Sequence, residues 1–449
     1  MKTDLIIIGA GPGGYETAHY AATHGLSVVI FEKDELGGTC LNRGCIPTKT
    51  LCKNAEVISN FRNSAEFGIS DVSYTVDFAK MVERKNNVVS QLREGVAMAL
   101  NHSSITLVRG EAVIMSCNTV ACDGELYECD NLIVATGSSP KMLPVEGNEL
   151  SCVLTSDDIL DMSELPQSLC IIGGGVIGLE FASIFNSLGV KVSIVEFCKE
   201  IIPNFDGDLA KRLRQALVKK GVEISVGAGV TGIVENGDGS ATVKYEQKGK
   251  SLETVCEKVL MAVGRAPRMP KGLETAGIDF SQGGIPVDDN MCSNVPGIYA
   301  IGDVNARCML AHAAVFQGKR AVNHILGIED NIRLDIMPSA IFTVPEAAMV
   351  GITDAECKAQ GIDAVVKKAF FRANGKAVAM GETDGILKLV VSSENKKILG
   401  CHILGAHAAD LIQEVASLMN CDETADKLKD IVHAHPTLGE VVYSAAMQN

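Results

Sequence analysis

No stretch of about 20 uninterrupted apolar residues occurs in this 449-residue chain, which argues against a membrane-spanning helix. The nearest candidate, residues 169–185, is interrupted by four glycines and Glu180. The apolar run that follows Asp4 lasts only four residues before Gly9, too short for a secretory signal. Positive charge is scarce: 40 Lys and Arg face 55 Asp and Glu, a net charge of −15. That balance repels nucleic acid and anionic membranes, so neither is an expected partner, and no metal site is expected. Cysteine, in contrast, is plentiful. Fifteen is an odd count without a secretory signal, so most of these thiols are expected to be reduced and buried in a cytoplasmic protein. The length suggests roughly three domains of about 150 residues each. Hydrophobic residues at 47% and 44 glycines fit an α/β chain rich in tight turns.

Residues 37–49 read Gly-Gly-Thr-Cys-Leu-Asn-Arg-Gly-Cys-Ile-Pro-Thr-Lys and lead into a helix-like run marked by Leu51, Ala55 and Ile58. Cys40 and Cys45 are five positions apart, about 7.5 Å of rise in an ideal helix. A disulfide needs Cα atoms roughly 4.4–6.8 Å apart, so the pair closes only through an irregular first turn. Gly37, Gly38 and Gly44 permit such backbone, and Pro47 suits a helix opening. A thiol at that place also feels the positive end of the helix dipole, which favours thiolate. The stretch reads as a redox-active pair opening a helix. Cys117 and Cys122 share the spacing but lie in a strand-like context without glycines. On an extended strand they would be over about 16 Å apart.

Leu5 to Ile8 form a short apolar strand that runs into Gly9, Gly11 and Gly14, a helix to His24, and a strand from Ser27 to Phe31 ending at Glu32. This is a dinucleotide fingerprint in its proper context. The pyrophosphate rests on the helix N-terminus, and Glu32 accepts from the adenosine ribose. The pattern recurs at Gly173, Gly175 and Gly178, ending at Glu196, with the same offset of 23 from first glycine to terminal acid. Two dinucleotides are implied. The first copy is followed closely by the cysteine pair, and a flavin suits electron exchange with sulfur better than a nicotinamide does. The second copy ends in an acid, which favours a free ribose hydroxyl and hence NAD over NADP. No arginine follows Glu196 until Arg212, although Lys199 is close.

Between the copies, helical spacing covers residues 81–100 through Met81, Val88, Val89, Leu92, Val96 and Leu100. Strands are expected at 105–108 and 111–115. A buried strand at 131–137 feeds Ala135, Thr136 and Gly137, and residues 140–166 cross into the second unit. Beyond it come a helix at 208–220, a hairpin turning at 236–239, and a strand at 258–263 ending at Gly264. A strand from 298 ends at Gly302 and Asp303. Asp303 has two open readings, a helix cap or a carboxylate on a flavin side chain. From about residue 334 the pattern is α+β, with strands at 385–391 and 397–404 and helices at 406–419 and 423–431. It closes on His435 and Glu440, where Pro436 biases His435 away from helical backbone. That pair is either a satisfied structural histidine or a base oriented by a carboxylate. Lys49 and Glu180 read as surface charges.

In its order of motifs the chain resembles the flavin-dependent pyridine nucleotide–disulfide oxidoreductases, and within them the dihydrolipoyl dehydrogenase branch. The resemblance rests on Gly9 to Gly14 with Glu32, on residues 37–49, and on Ala135-Thr136-Gly137. It also rests on Gly173 to Glu180 with Glu196, Gly302-Asp303, Met309-Leu310-Ala311-His312, and residues 433–440. It implies two Rossmann-like domains, with the NAD domain (143–265) inserted in an FAD domain (1–142 and 266–333), and an α+β dimerisation domain (334–449). It further implies a homodimer in which His435 and Glu440 complete the partner subunit's site around Cys40 and Cys45. Lys49 and Glu180 move to the flavin and nicotinamide neighbourhood, and Gly264 to the NAD site. The implied reaction is oxidation of dihydrolipoamide on a lipoylated carrier protein or acyltransferase subunit, with reduction of NAD.

Relatives that reduce glutathione disulfide would need arginines near Glu196. Mercuric reductases and the larger thioredoxin reductases carry a second C-terminal redox pair, whereas no cysteine follows Cys421. Soluble transhydrogenases lack a complete disulfide. Arg43, Val344 and residues 313–316 depart from the commoner family pattern and bear on partner recognition rather than on the chemistry.

Overall fold

The computed structural model describes residues 2–448. The chain opens with β1 (Lys2–Ile8), α1 (Pro12–Thr23), β2 (Val28–Glu32), α2 (Gly38–Arg43), α3 (Cys45–Arg62), α4 (Phe78–Leu100) and β3 (Ile105–Arg109). A meander follows, β4 (Val113–Ser116), β5 (Thr119–Cys122) and β6 (Glu125–Val134), then the short β7 (Ser138–Pro140). The sheet order is β3-β2-β1-β6-β5-β4, with β1, β2, β3 and β6 parallel. Burial of β1 on both faces explains its unbroken apolar run. Leu5 and Ile7 pack with Val28 and Ile30 on the face that carries α1, while Ile6 and Ile8 pack with Val29 and Phe31 on the other.

The second unit repeats this plan. It contains β8 (Val153–Leu154), β9 (Ser168–Ile172), α5 (Val176–Ser187), β10 (Lys191–Glu196), α6 (Gly207–Lys219) and β11 (Glu223–Val226). An antiparallel sheet follows, β12 (Ala228–Glu235), β13 (Ala241–Gln247) and β14 (Lys250–Cys256), and then β15 (Lys258–Met261). The parallel order is β11-β10-β9-β15-β8. Leu169 and Ile171 face the α5 side, and Cys170 and Ile172 face the three-stranded sheet. On leaving, β16 (Arg265–Pro267) pairs antiparallel with β7, so the strands of entry and exit lie side by side. The chain then returns to the first sheet through β17 (Ile298–Ala300), parallel to β6, and α7 (Ala311–Leu326) packs against α1.

The last unit is an antiparallel sheet, β18-β19-β22-β21-β20, built from β18 (Ser339–Ile341), β19 (Glu346–Gly351), α8 (Asp354–Gln360), β20 (Ala364–Phe370), α9 (Gly375–Met380), β21 (Ile386–Ser392), β22 (Ile398–Gly405), α10 (Ala408–Asn420), α11 (Ala425–Lys429) and α12 (Glu440–Ala446). Among the described residues no helix is long and apolar enough to cross a membrane.

Two expectations need correction here. Cys117 and Cys122 do not share one extended strand; a hairpin turn separates them, and both are free thiols. Leu92 is exposed, because the inner face of α4 runs through Phe78, Lys85, Val89, Val96 and Leu100. Lys85 is buried there, and its ammonium donates to the Leu160 carbonyl at 2.7 Å and to Asp161 at 3.0 Å. Of the thirteen free cysteines seven are buried and two, Cys117 and Cys421, are exposed.

Candidate active site

Cys40 and Cys45 form a disulfide with Cα atoms 4.7 Å apart. The irregular turn that closes it is a break between two helices. Cys40 lies in α2, Gly44 leaves helical geometry at φ −142°, and Cys45 is the first residue of α3. Gly37 and Gly38, at φ 92° and 58°, bring the chain into α2 in a left-handed conformation that side chains rarely adopt. Cys45 therefore sits at the positive end of an 18-residue helix.

The disulfide opens on a cavity of about 720 Å³. Its walls include Gly9, Gly11, Glu32, Lys49, Ala135, Thr136, Gly137, Gly302, Asp303, Met309, Leu310 and Ala311, together with Val176, Ile177, Glu180 and Phe181 from the second fingerprint helix. The first glycine-rich turn and the start of the helix that follows the second are thus brought to the cavity that holds the sulfur pair. Gly14, Gly173, Gly175, Gly178, Glu196, Gly264 and His312 lie outside this lining. His312 has Nε2 2.9 Å from the Pro338 carbonyl, to which it donates.

Each turn is shaped for a dinucleotide. A methyl group on Gly14 would overlap the Gly9 carbonyl, and one on Gly178 the Gly173 carbonyl, so only glycine lets helix and turn approach this closely. The acids ending β2 and β10 brace these turns in the same way. Glu32 accepts from the N–H groups of Ala10 (2.8 Å) and Asp34 (2.9 Å), and Glu196 from those of Gly174 and Cys198. A carboxylate retains further acceptor sites for ribose hydroxyls. The residues present therefore fit two dinucleotides.

Lys49 and Glu180 are not surface charges. Glu180 is 3% exposed and accepts the Lys49 ammonium at 2.8 and 2.9 Å, along with the Phe342 N–H at 3.0 Å. The packing of α3 against α5 buries Glu180 and half-buries Lys49 beside the cavity, with the ammonium 4.6 Å from the Phe342 ring centre. Asp303 accepts from the Ser138 hydroxyl and caps no helix with its side chain. Arg265 donates to the same serine's hydroxyl (2.7 Å) and carbonyl (2.8 Å), and burial pushes its guanidinium down while Asp303 pulls it up. Cys52, one turn beyond Lys49, has its thiol pushed up to about 12 by burial and by Glu180, and so stays inert.

His435 and Glu440 form the expected pair, with Nδ1 and Oε1 3.0 Å apart, but they lie outside the cavity lining of their own chain. Glu440 opens α12 and also accepts the Thr437 N–H at 3.0 Å. Its carboxyl is held below the usual range by the His435 hydrogen bond, then by the Thr437 N–H. An Nδ1–H on His435 leaves its Nε2 lone pair free on a side chain that is 78% exposed.

Several lining residues escaped sequence reasoning, among them Lys33, Gly110, Ser138, Arg265 and Arg268. Lys33 follows β2, Gly110 follows β3, Ser138 opens β7, and Arg265 and Arg268 lie at the start of β16 and just after it, so no single stretch of sequence gathers them. Arg43 pairs with Asp34, and both line the cavity. Val344 offers its carbonyl to Lys220 at 2.8 Å, and Phe316 lies exposed under the Lys319 ammonium.

Residues 3–318 match the pyridine nucleotide-disulphide oxidoreductase family, and residues 337–446 match its dimerisation domain. The dihydrolipoyl dehydrogenase of Bacillus subtilis (strain 168) is 40% identical over 453 residues, spanning 99% of this chain and 96% of the relative. Those of Chlamydia muridarum and Geobacillus stearothermophilus are each 39% identical over the same shares. Among solved structures, the HOCl-induced flavoprotein disulfide reductase RclA from Escherichia coli superposes with a TM-score of 0.87 at 28% identity, covering 99% of both chains. A disulfide at a helix start, two glycine turns shaped for dinucleotides and these full-length likenesses agree: the chain belongs to the pyridine nucleotide-disulphide oxidoreductase family.

Proposed function

We propose that this protein is a dihydrolipoyl dehydrogenase, oxidising dihydrolipoamide on a lipoylated carrier or acyltransferase subunit and reducing NAD. The observation that carries this reading is the Cys40–Cys45 disulfide, closed at the start of α3 and open to a cavity lined by the first nucleotide turn and by α5, the helix of the second. The match to the family's dimerisation domain supports a homodimer. The thirteen free thiols suit a reducing compartment such as the cytoplasm. The pairing of β7 with β16 supports an NAD unit at 143–265 inserted between FAD segments at 1–142 and 266–333, with the dimerisation unit at 334–449.

A free thiol is only about 3% thiolate at neutral pH, so the substrate needs a base. His435 of the partner subunit takes that proton on Nε2, while Glu440 holds Nδ1–H and stabilises the imidazolium that forms. The substrate thiolate attacks Cys40 Sγ, the Cys40–Cys45 bond breaks, and Cys45 leaves as a thiolate at the helix N-terminus. The second substrate thiol attacks the substrate sulfur bound to Cys40, breaking that mixed disulfide, and its proton passes to the departing Cys40 thiolate. Cyclic lipoamide departs, and the cysteine pair has gained two electrons. FAD, when bound, supplies the two-electron relay from the reduced pair to NAD. Gly9 to Gly14, Glu32, Lys49, Ala135 to Gly137, Gly302, Asp303 and Met309 to His312 would hold the flavin. Gly173, Gly175, Gly178, Glu180, Glu196 and Gly264 would hold NAD.

Purified protein given dihydrolipoamide and NAD should form NADH at 340 nm, with NADP at least about tenfold poorer, as expected of an acid at the ribose site. Absence of NADH, or reduction of glutathione disulfide by NADPH instead, would contradict the assignment.

A further inference from the structure

The segment that carries His435 holds a second imidazole. His433 is largely covered, its side chain 9% exposed, and both ring nitrogens have partners. Nδ1 lies 2.9 Å from the Ile431 carbonyl oxygen, and Nε2 lies 2.8 Å from Glu414 Oε1 on α10. A carbonyl can only accept, and an ionised carboxylate can only accept. Two acceptors at hydrogen-bond distance require two N–H donors, which is the imidazolium. Glu414, partly open to solvent, favours its ionised form. The other titratable groups meeting His433 are on α12: Tyr443, with its ring centre 5.7 Å away, and Glu440, whose carboxyl also feels the His433 charge.

We propose that His433, held doubly protonated between the Ile431 carbonyl and the Glu414 carboxylate, is a positioning residue for the reaction, a fixed cation beside the Glu440–His435 pair. The inference rests on the reading of His435 as the base. The cation favours the ionised form of Glu440, which must accept from His435 Nδ1–H to direct the Nε2 lone pair outward. It also opposes a second positive charge on His435.

Removal of the charge in His433→Gln should raise the acid limb of the pH profile of kcat/KM for dihydrolipoamide by about half to one pH unit. The plateau rate should stay within about threefold, with FAD content and dimer size unchanged, as expected of a group that acts through another. A residue that merely fills space would leave the limb in place. Independently of any variant, neutron diffraction from deuterated wild-type crystals near pD 8 should place deuterium on both ring nitrogens of His433. Deuterium on Glu414 with one bare His433 nitrogen would overturn the inference, as would an unmoved acid limb in a folded His433→Gln protein. His435→Gln separates the two levels. If that variant is inactive while the His433→Gln limb is unmoved, only the role of His433 fails. If His435→Gln retains the wild-type rate, the base assignment fails, and this inference with it.

Discussion

At the scale of single residues, the proposed chemistry is divided between two sulfurs and one imidazole that one chain does not bring together. The cysteines face the cavity, whereas His435 faces outward on a different unit. Replacing His435 with Gln should lower kcat for dihydrolipoamide by about 10² to 10⁴-fold, the usual contribution of a positioned base. The disulfide and bound flavin should be untouched, as checked by thiol titration and the flavin spectrum. The sequence marked Cys40 and Cys45 through the glycines and proline around them, whereas Pro436 and Glu440 left the role of His435 open until the family resemblance supplied one. Glu180 could not be read in the same way. Its burial follows from the packing of α3 on α5, two helices more than 100 residues apart in the chain, and nothing within either helix announces the contact.

At the scale of elements, both nucleotide units were legible, since the strand–turn–helix–strand pattern is local and a glycine is forced where helix and turn touch. Most strand bounds fell within a few residues of the structure, but the strand expected at 131–137 begins at Glu125. The hairpin between Cys117 and Cys122 was missed because a two-residue turn without glycine leaves little trace in an alternating stretch. Also hidden was the buried Lys388 on β21, which donates to Asp206, the N-cap of α6, and to Asp354 (3.0 Å) and Asp208 (3.2 Å). It joins the dimerisation unit to the second nucleotide unit. Lys388→Ala should destabilise the fold by about 3–5 kcal/mol, because it leaves a carboxylate buried without its partner. Partial burial alone would raise Asp208 and Asp354, but the ammonium groups of Lys388 and, for Asp208, Lys368 outweigh it and hold both below the usual carboxylate value. A lowered folded pKa contributes stability that is present above the unfolded value and lost as pH falls through the folded one. Thermal melting should therefore drop steeply below about pH 4, and less steeply in Lys388→Met, measured by calorimetry across pH.

At the scale of the whole molecule, the proposed site exists only in the dimer. A Cys45→Ser subunit and a His435→Gln subunit are each expected to be inactive alone. Refolded together at equal amounts, about half of the dimers are mixed, and each mixed dimer has one intact site. The mixture should recover roughly a quarter of wild-type activity; no recovery would place His435 outside the partner's site. The passage of electrons is tested most directly by anaerobic titration of the wild-type protein with dihydrolipoamide, followed by addition of NAD. Two electrons per subunit should be taken up, with a long-wavelength thiolate-to-flavin band that disappears as stoichiometric NADH forms, and Cys45→Ser should show neither. Reduction of the flavin by dihydrolipoamide in the Cys45→Ser protein, or no band in the wild type, would contradict entry of electrons through Cys40 and Cys45.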